Sequence, residues 1–327
     1  MAFEIALTRD LLTPAGQPSF GAGPLELLDQ CTQIRWQFLP ENVDRITPDI
    51  AARFDGLYVN APLVPASAVA RADCRLRIVA RHGVGFDSVD VAALAARDIL
   101  VTNTPVAVQR PVAVAALTMI FALAGRLFEK DQLTRAGRWH ERTAHMGLGL
   151  TSRTLGIIGA GGIGKELLRL ARPFGWKMLA ADPHVDDATI RSLGAQPCSL
   201  DALLRQSDFV VACCVLDERT HHLMNAARFA TMREQAFFVN LARGPVADEA
   251  ALIDALRTRR IAGAGIDVFE QEPVDPGNPL LSMDNVIVTP HSLCWTDECF
   301  DAIAREGLGC LVAFAQGRRP ASVVNVG

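Results

Sequence analysis

The sequence predicts an α/β protein of two doubly wound domains with parallel sheets and a cleft between them. Three observations predict it. Short apolar runs bounded by turn residues alternate with helical patterns, as parallel strands joined by crossover helices do. The alternation breaks at Asn103-Thr104-Pro105, yields to a long apolar stretch and restarts at Thr154. The length, 327 residues, exceeds what one ordinary core supports and suits two.

The first series of strands is expected at Glu4–Thr8, Trp36–Leu39, Gly56–Val59, Arg77–Arg81 and Ile99–Asn103, with helical patterns such as Leu25–Cys31 and Val89–Asp98 between them. A single helix over about Gln109–Ala136 is too long for one crossover; it would join the domains or pack against a second subunit. The second series is expected at Thr154–Gly159, Lys177–Asp182, Asp208–Cys214, Ala236–Ala242, Ala262–Asp267 and Asn285–Pro290. Six such strands complete a Rossmann-like sheet. A last helix, about Thr296–Gln316, would leave that sheet and return to the first domain. The first domain is then discontinuous, residues 1–107 plus 296–327, and the second covers 108–295.

Half of the residues are hydrophobic and the net charge is −4, which excludes a nucleic-acid-binding surface. The N-terminus lacks the basic and apolar regions of a signal peptide. The most apolar segment, Pro111–Gly125, has 15 residues, short of the roughly 20 that span a bilayer. Eight cysteines show no metal-ligand spacing. A cytoplasmic protein with neither metal nor membrane partner is expected.

Gly159-Ala160-Gly161-Gly162-Ile163-Gly164 carries the first chemistry. A GxGxxG alone is weak, but this one follows an apolar strand and opens an amphipathic helix. The next strand ends in Asp182, 23 residues after the first glycine. Gly159 allows a tight turn, Gly161 admits a pyrophosphate, and Gly164 lets helix and strand pack closely. The Gly162 and Ile163 amides point from a helix N-terminus at the phosphates. Asp182 suits two ribose hydroxyls and repels a 2′-phosphate, so NAD is favoured over NADP.

Downstream, Val239–Leu252 (VNLARGPVADEAAL), Gly263–Pro273 (GAGIDVFEQEP) and Val288–Ser292 (VTPHS) occur in order. With Gly83–Asp90 (GVGFDSVD) and the Asn-Thr-Pro, they resemble the D-isomer-specific 2-hydroxyacid dehydrogenases, from about Val59 to about Val324. Arg243 itself stands at a strand's C-terminal end, where open α/β sheets place ligands and a guanidinium holds a carboxylate. The resemblance matches Arg243, Glu272 and His291 to the family's substrate arginine, paired glutamate and catalytic histidine. It implies NAD-dependent interconversion of a small 2-keto acid and its D-2-hydroxy acid. Val84 and Gly85 would hold the substrate carboxylate, with Asn60 nearby, and Leu241, Ala242 and Asp267 would join the cofactor contacts. Asp267 would bond the nicotinamide carboxamide or orient nearby backbone. The discontinuous domain would bind substrate, the other NAD, and the long helix would support a homodimer.

The chain departs from the family at three places. Asn60 stands where an arginine is frequent, which argues against a phosphorylated substrate. Val112-Ala113-Val114-Ala115 replaces a Val-Ala-Glu-His. Leu293-Cys294-Trp295 replaces a run of small residues after the histidine, and would narrow the nicotinamide end or line an apolar substrate pocket. Two alternatives stay open from sequence: a non-catalytic NAD(H)-binding regulator of the same fold, and a dehydrogenase of another small anion such as phosphite. Glu272 argues against formate, whose enzymes place glutamine there.

Overall fold

The computed structural model describes residues 2–325, so the outermost residues of the discontinuous domain range fall outside it. The chain divides into two compact units, Met1–Val108 with Trp295–Gly327, and Gln109–Cys294.

The first unit is built on strands β1 (Phe3–Leu7), β2 (Ile34–Phe38), β3 (Gly56–Val59), β4 (Ile78–Arg81) and β5 (Leu100–Thr102). They form one parallel sheet in the order β2-β1-β3-β4-β5. The direction of winding reverses between β1 and β3, so the loops after them flank a switch point. Its strands read as continuous apolar runs because both faces are covered. Ala6, Leu57, Val59 and Val79 enter one core, while Ile5, Leu7, Tyr58, Ile78 and Ala80 enter the other. That second core is closed by Ala304, Leu308 and Leu311 of the helix Asp297–Ala315. The Thr296 hydroxyl caps this helix by accepting from the Cys299 amide at 3.1 Å.

The second unit carries β6 (Thr154–Ile158), β7 (Lys177–Ala181), β8 (Gln196–Pro197), β9 (Phe209–Ala212), β10 (Phe237–Asn240), β11 (Gly263–Ile266) and β12 (Val286–Val288). The parallel order is β12-β11-β10-β9-β6-β7-β8, so the chain reverses between β6 and β9. Six of these strands match expectation within a residue or two at each end. The seventh, β8, escapes a periodicity reading because it is two residues long and contains a proline, which belongs at a sheet edge.

The expected helix over Gln109–Ala136 is two helices, Gln109–Gly125 and Leu127–Arg135, bent by 56°. The carbonyl of Ala124 accepts from the Leu148 amide at 2.8 Å, and Arg126 takes a left-handed φ of 51°. The second helix is then tied down through Glu129, which pairs with Arg126 and accepts from or pairs with His145 Nδ1 at 3.1 Å. Periodicity shows none of these breaks. No single helix among the described residues is long and apolar enough to cross a membrane.

Candidate active site

His291 leaves β12 through Thr289 and Pro290 and turns back sharply, with φ 53°. A non-glycine residue reaches that region only when its surroundings impose it. Asp267, at the end of β11 and 3 % exposed, does so. Its Oδ1 accepts from the Thr289 hydroxyl at 2.6 Å, the Ser292 amide at 3.0 Å and the Leu293 amide at 3.2 Å. Its backbone carbonyl accepts from the His291 amide at 2.7 Å. Of the two roles open to Asp267 from sequence, orientation of backbone is thus visible in the fold.

The imidazole so presented meets Glu272, with Nδ1 2.8 Å from Oε2. Glu272 Oε1 accepts from the Phe269 amide at 3.0 Å. Burial alone would raise this carboxyl's pKa, but the His291 and Phe269 hydrogen bonds and the charges of His291 and Arg243 outweigh it and hold it below the ordinary glutamate range. A carboxylate on Nδ1 leaves Nε2 as the atom free to exchange a proton with a ligand.

Arg243 follows β10. Asn240 fixes the turn, its amide donating to the Arg243 carbonyl at 2.9 Å and its oxygen accepting from the Ala242 amide at 3.1 Å. The neighbouring Gly244 lies so close that a side chain there would overlap the Phe269 carbonyl, in the loop that carries Glu272. The arginine turn and the glutamate loop are therefore packed backbone to backbone.

The glycine turn after β6 sits at the switch point of the seven-stranded sheet. Gly159 has φ 93°, and a Cβ there would press within 2.7 Å of the Cys214 amide. Gly161 opens onto free space, and its neighbours Gly162 and Ile163 begin the helix Gly162–Ala171 with no side-chain cap. A Cβ at Gly164 would overlap the Gly159 carbonyl oxygen. The turn therefore offers uncapped helical amides beside an open backbone surface, which fits a pyrophosphate. Asp182 Oδ2 accepts from the Ala160 amide at 2.7 Å and Oδ1 from the His184 amide at 2.7 Å. Each oxygen keeps a lone pair for a ribose hydroxyl. Leu241 and Ala242 are nearly buried beyond β10.

In the five-stranded sheet, Val84 and Gly85 lie in the loop after β4. Asn60 lies after β3, where its side-chain amide donates to Asp10 Oδ2 at 2.8 Å and its backbone amide to Thr8 Oγ1 at 3.2 Å. Arg81 reaches the Asn60 oxygen at 3.4 Å. Positive charge therefore arrives at this position from the next strand, balanced by Asp10, and the loss of an arginine at 60 is a weaker argument against phosphate than the sequence suggests.

A family model for the D-isomer-specific 2-hydroxyacid dehydrogenase NAD-binding domain matches residues 117–292. The chain belongs to the D-isomer-specific 2-hydroxyacid dehydrogenases. It is 39% identical over 254 residues to a glyoxylate reductase of Korarchaeum cryptofilum, covering 77% of this chain and 76% of the relative. It is 37% identical over 291 residues to glyoxylate/hydroxypyruvate reductase B of Citrobacter koseri, covering 88% and 89%. The Aquifex aeolicus D-lactate dehydrogenase crystallised with NAD and lactic acid superposes with a TM-score of 0.85, at 25% identity over 99% of each chain.

This protein is an NAD-dependent D-2-hydroxyacid dehydrogenase, an oxidoreductase with a Rossmann-like cofactor unit. Several residues that shape the dehydrogenase's candidate site escaped the sequence reading. Thr8 and Asp10, just after β1, and Arg81, at the end of β4, surround Asn60 from two different segments. The Asn-Thr-Pro motif, read from sequence as a break in pattern and as part of the family resemblance but given no contact of its own, grips the loop after β4. Asn103 donates to the Val84 carbonyl at 2.8 Å, and the Thr104 hydroxyl accepts from the Gly83 amide at 3.0 Å. The adjacency of that motif to a strand end was its one available signal. The dehydrogenase's vicinal Cys213-Cys214 is packing: burial pushes the Cys214 thiol up to about 11 and the Cys213 thiol higher still.

Proposed function

We propose that this dehydrogenase interconverts a small 2-keto acid and its D-2-hydroxy acid, with His291 as the acid–base group. The observation that carries the reading is the 2.8 Å His291–Glu272 contact on a turn fixed by Asp267. The Val84 and Gly85 amides are the carboxylate donors of the first unit, and the Arg243 guanidinium is the group of the second that binds substrate and polarises the carbonyl at C2. Asn60 contributes to the same substrate subsite. Gly159, Gly161, Gly162, Ile163 and Gly164 hold the pyrophosphate, Asp182 the adenosine ribose, and Leu241, Ala242 and Asp267 line the nicotinamide end. Bound NAD supplies the hydride acceptor for oxidation and, when reduced, the donor for reduction. During reduction His291 gives the Nε2 proton to the developing alkoxide; during oxidation Nε2 takes the hydroxyl proton. Glu272 on Nδ1 fixes the tautomer and the orientation of the imidazole.

The names of the relatives support glyoxylate and hydroxypyruvate as first substrates to test, and that of the structural neighbour supports pyruvate. The protein works in the cytoplasm as a homodimer. The test is oxidation of NADH and NADPH, side by side, with glyoxylate, hydroxypyruvate, pyruvate and bulkier 2-keto acids. Turnover with at least one keto acid, faster with NADH, is expected. Inertness towards all of them despite NADH binding would overturn the reading.

A further inference from the structure

We propose that His82 is a positioning residue for the substrate-carboxylate loop, its ring mounted on the Tyr58 hydroxyl so that the Val84 and Gly85 amides face outward. The proposal rests on the reading that these amides hold the carboxylate.

His82 is the first residue beyond β4, and it is a buried histidine that the proposed chemistry leaves unused. It is 4 % exposed. Its backbone amide donates to the Val59 carbonyl at 2.8 Å, and its Nδ1 lies 2.6 Å from the hydroxyl of Tyr58. Tyr58 is wholly buried in β3, and its hydroxyl also reaches the Ile303 carbonyl at 3.3 Å. The helix Asp297–Ala315 comes this close because residue 307 is glycine; a Cβ there would stand 2.5 Å from the Tyr58 ring. The rings of Phe20 and Phe300 pack against the imidazole with centroids 6.2 and 5.1 Å away. The ring is thus held on its edge by one hydrogen bond and by three aromatic neighbours.

From His82 the chain enters the loop directly. Gly83 has φ 122°, open only to glycine, and exchanges hydrogen bonds with Thr104: its amide with the hydroxyl at 3.0 Å, its carbonyl with the amide at 3.0 Å. Asn103 holds the Val84 carbonyl. Among the described residues, the Val84 and Gly85 amides have no acceptor in hydrogen-bond range. With the carbonyl of Val84 tied down and the preceding residue anchored, these two donors are left for a ligand. Two successive donors so fixed suit a carboxylate.

The anchor is also indifferent to pH. Burial, and then the charge of Arg81, bring the His82 pKa down to about 3. The groups around the ring are Tyr58, Phe20 and Phe300, with Arg81 next in the chain, so the imidazole stays neutral wherever the enzyme works. Its buried Nε2 has no protein partner among the described residues. If the Tyr58 proton goes to Ile303, His82 Nδ1–H donates to Tyr58, and Nε2 is left as a lone acceptor rather than a lone donor.

The test uses the whole enzyme, the keto acid that turns over fastest among glyoxylate, hydroxypyruvate and pyruvate, and oxamate as a dead-end carboxylate. Tyr58→Phe and His82→Leu should each raise KM and the oxamate Ki about tenfold, with kcat, its pH midpoint and the NADH Kd within about twofold. His82→Asn, which places a polar atom near the Nδ1 position, should recover most of the loss. Near-UV circular dichroism checks the fold, and Tyr58→Phe is close to isosteric. Gly85→Pro, which deletes one amide, separates the two levels of the argument. If Gly85→Pro raises KM while Tyr58→Phe and His82→Leu leave it unchanged, or lower kcat alone, the positioning role is overturned. If Gly85→Pro leaves KM and oxamate inhibition unchanged, the carboxylate reading fails, and this proposal with it.

Discussion

The two sheets build a loop at the C-terminal ends of their strands by opposite means. In the seven-stranded sheet, the turn after β6 is specified by its own residues: Gly159 by its positive φ and Gly164 by the lack of room for a Cβ. In the five-stranded sheet, the loop after β4 has one such local device, Gly83 with φ 122°, and is otherwise held from elsewhere. Tyr58 on β3 holds its first residue, and Asn103 and Thr104 beyond β5 hold the next two. A backbone-coded turn suits a group that never varies, such as a pyrophosphate. A loop held by distributed side chains can be retuned by single substitutions, which suits the end of the site where substrates differ.

The largest effect is expected at the His291 turn, which is held by Asp267 from the neighbouring strand. His291→Ala should lower kcat by at least ~100-fold while NADH binding, followed by fluorescence titration, persists. Near-normal turnover would remove His291 from the chemistry. Next come the glycines. Gly164→Ala should cost about 2 kcal/mol of stability, because its Cβ overlaps backbone that cannot yield, measurable as a lower urea midpoint. Gly161→Ala, facing open space, should leave stability within about 0.5 kcal/mol and weaken NADH instead. Equal unfolding midpoints for the two would break the claim that this turn is locally coded.

A smaller effect is expected at Asp182. Asp182→Ala should reduce the preference for NADH over NADPH about tenfold, since the carboxylate repels a 2′-phosphate. An unchanged ratio of kcat/KM values would place selectivity elsewhere. The smallest concerns Glu272, whose carboxyl is held below its ordinary 4.5. A depressed pKa stabilises the fold above the unfolded value, and this contribution disappears as pH falls through the folded value. With the side chain 38 % exposed, solvent reduces it to roughly 0.5 kcal/mol. Glu272→Gln should therefore melt slightly below wild type at pH 7 and converge with it as pH falls through the depressed folded-state value. A gap that persists in acid would point to packing rather than charge.

The same contrast explains what could be read from the sequence. Strand positions and the order of the two series were legible because buried parallel strands are short apolar runs, whichever sheet they join. The turn after β6 was legible because its glycines answer local steric demands. The Arg243, Glu272 and His291 constellation emerged only through a motif series, since nothing in the local sequence says that a glutamate 19 positions upstream will meet the histidine at 2.8 Å. The 56° bend at Arg126 was hidden, because an acceptor claimed by Leu148 leaves no mark on helical periodicity. Asp10, Tyr58 and His82 were hidden for the same reason. Each acts across at least 24 residues of chain, through one or two hydrogen bonds.

Asp267 has a consequence of a different kind. By collecting a hydroxyl and two amides on one carboxylate oxygen, it fixes the His291 turn through bonds made within the fold itself. The configurational entropy of placing the proposed acid–base group is then lost once, at folding, rather than at every catalytic cycle.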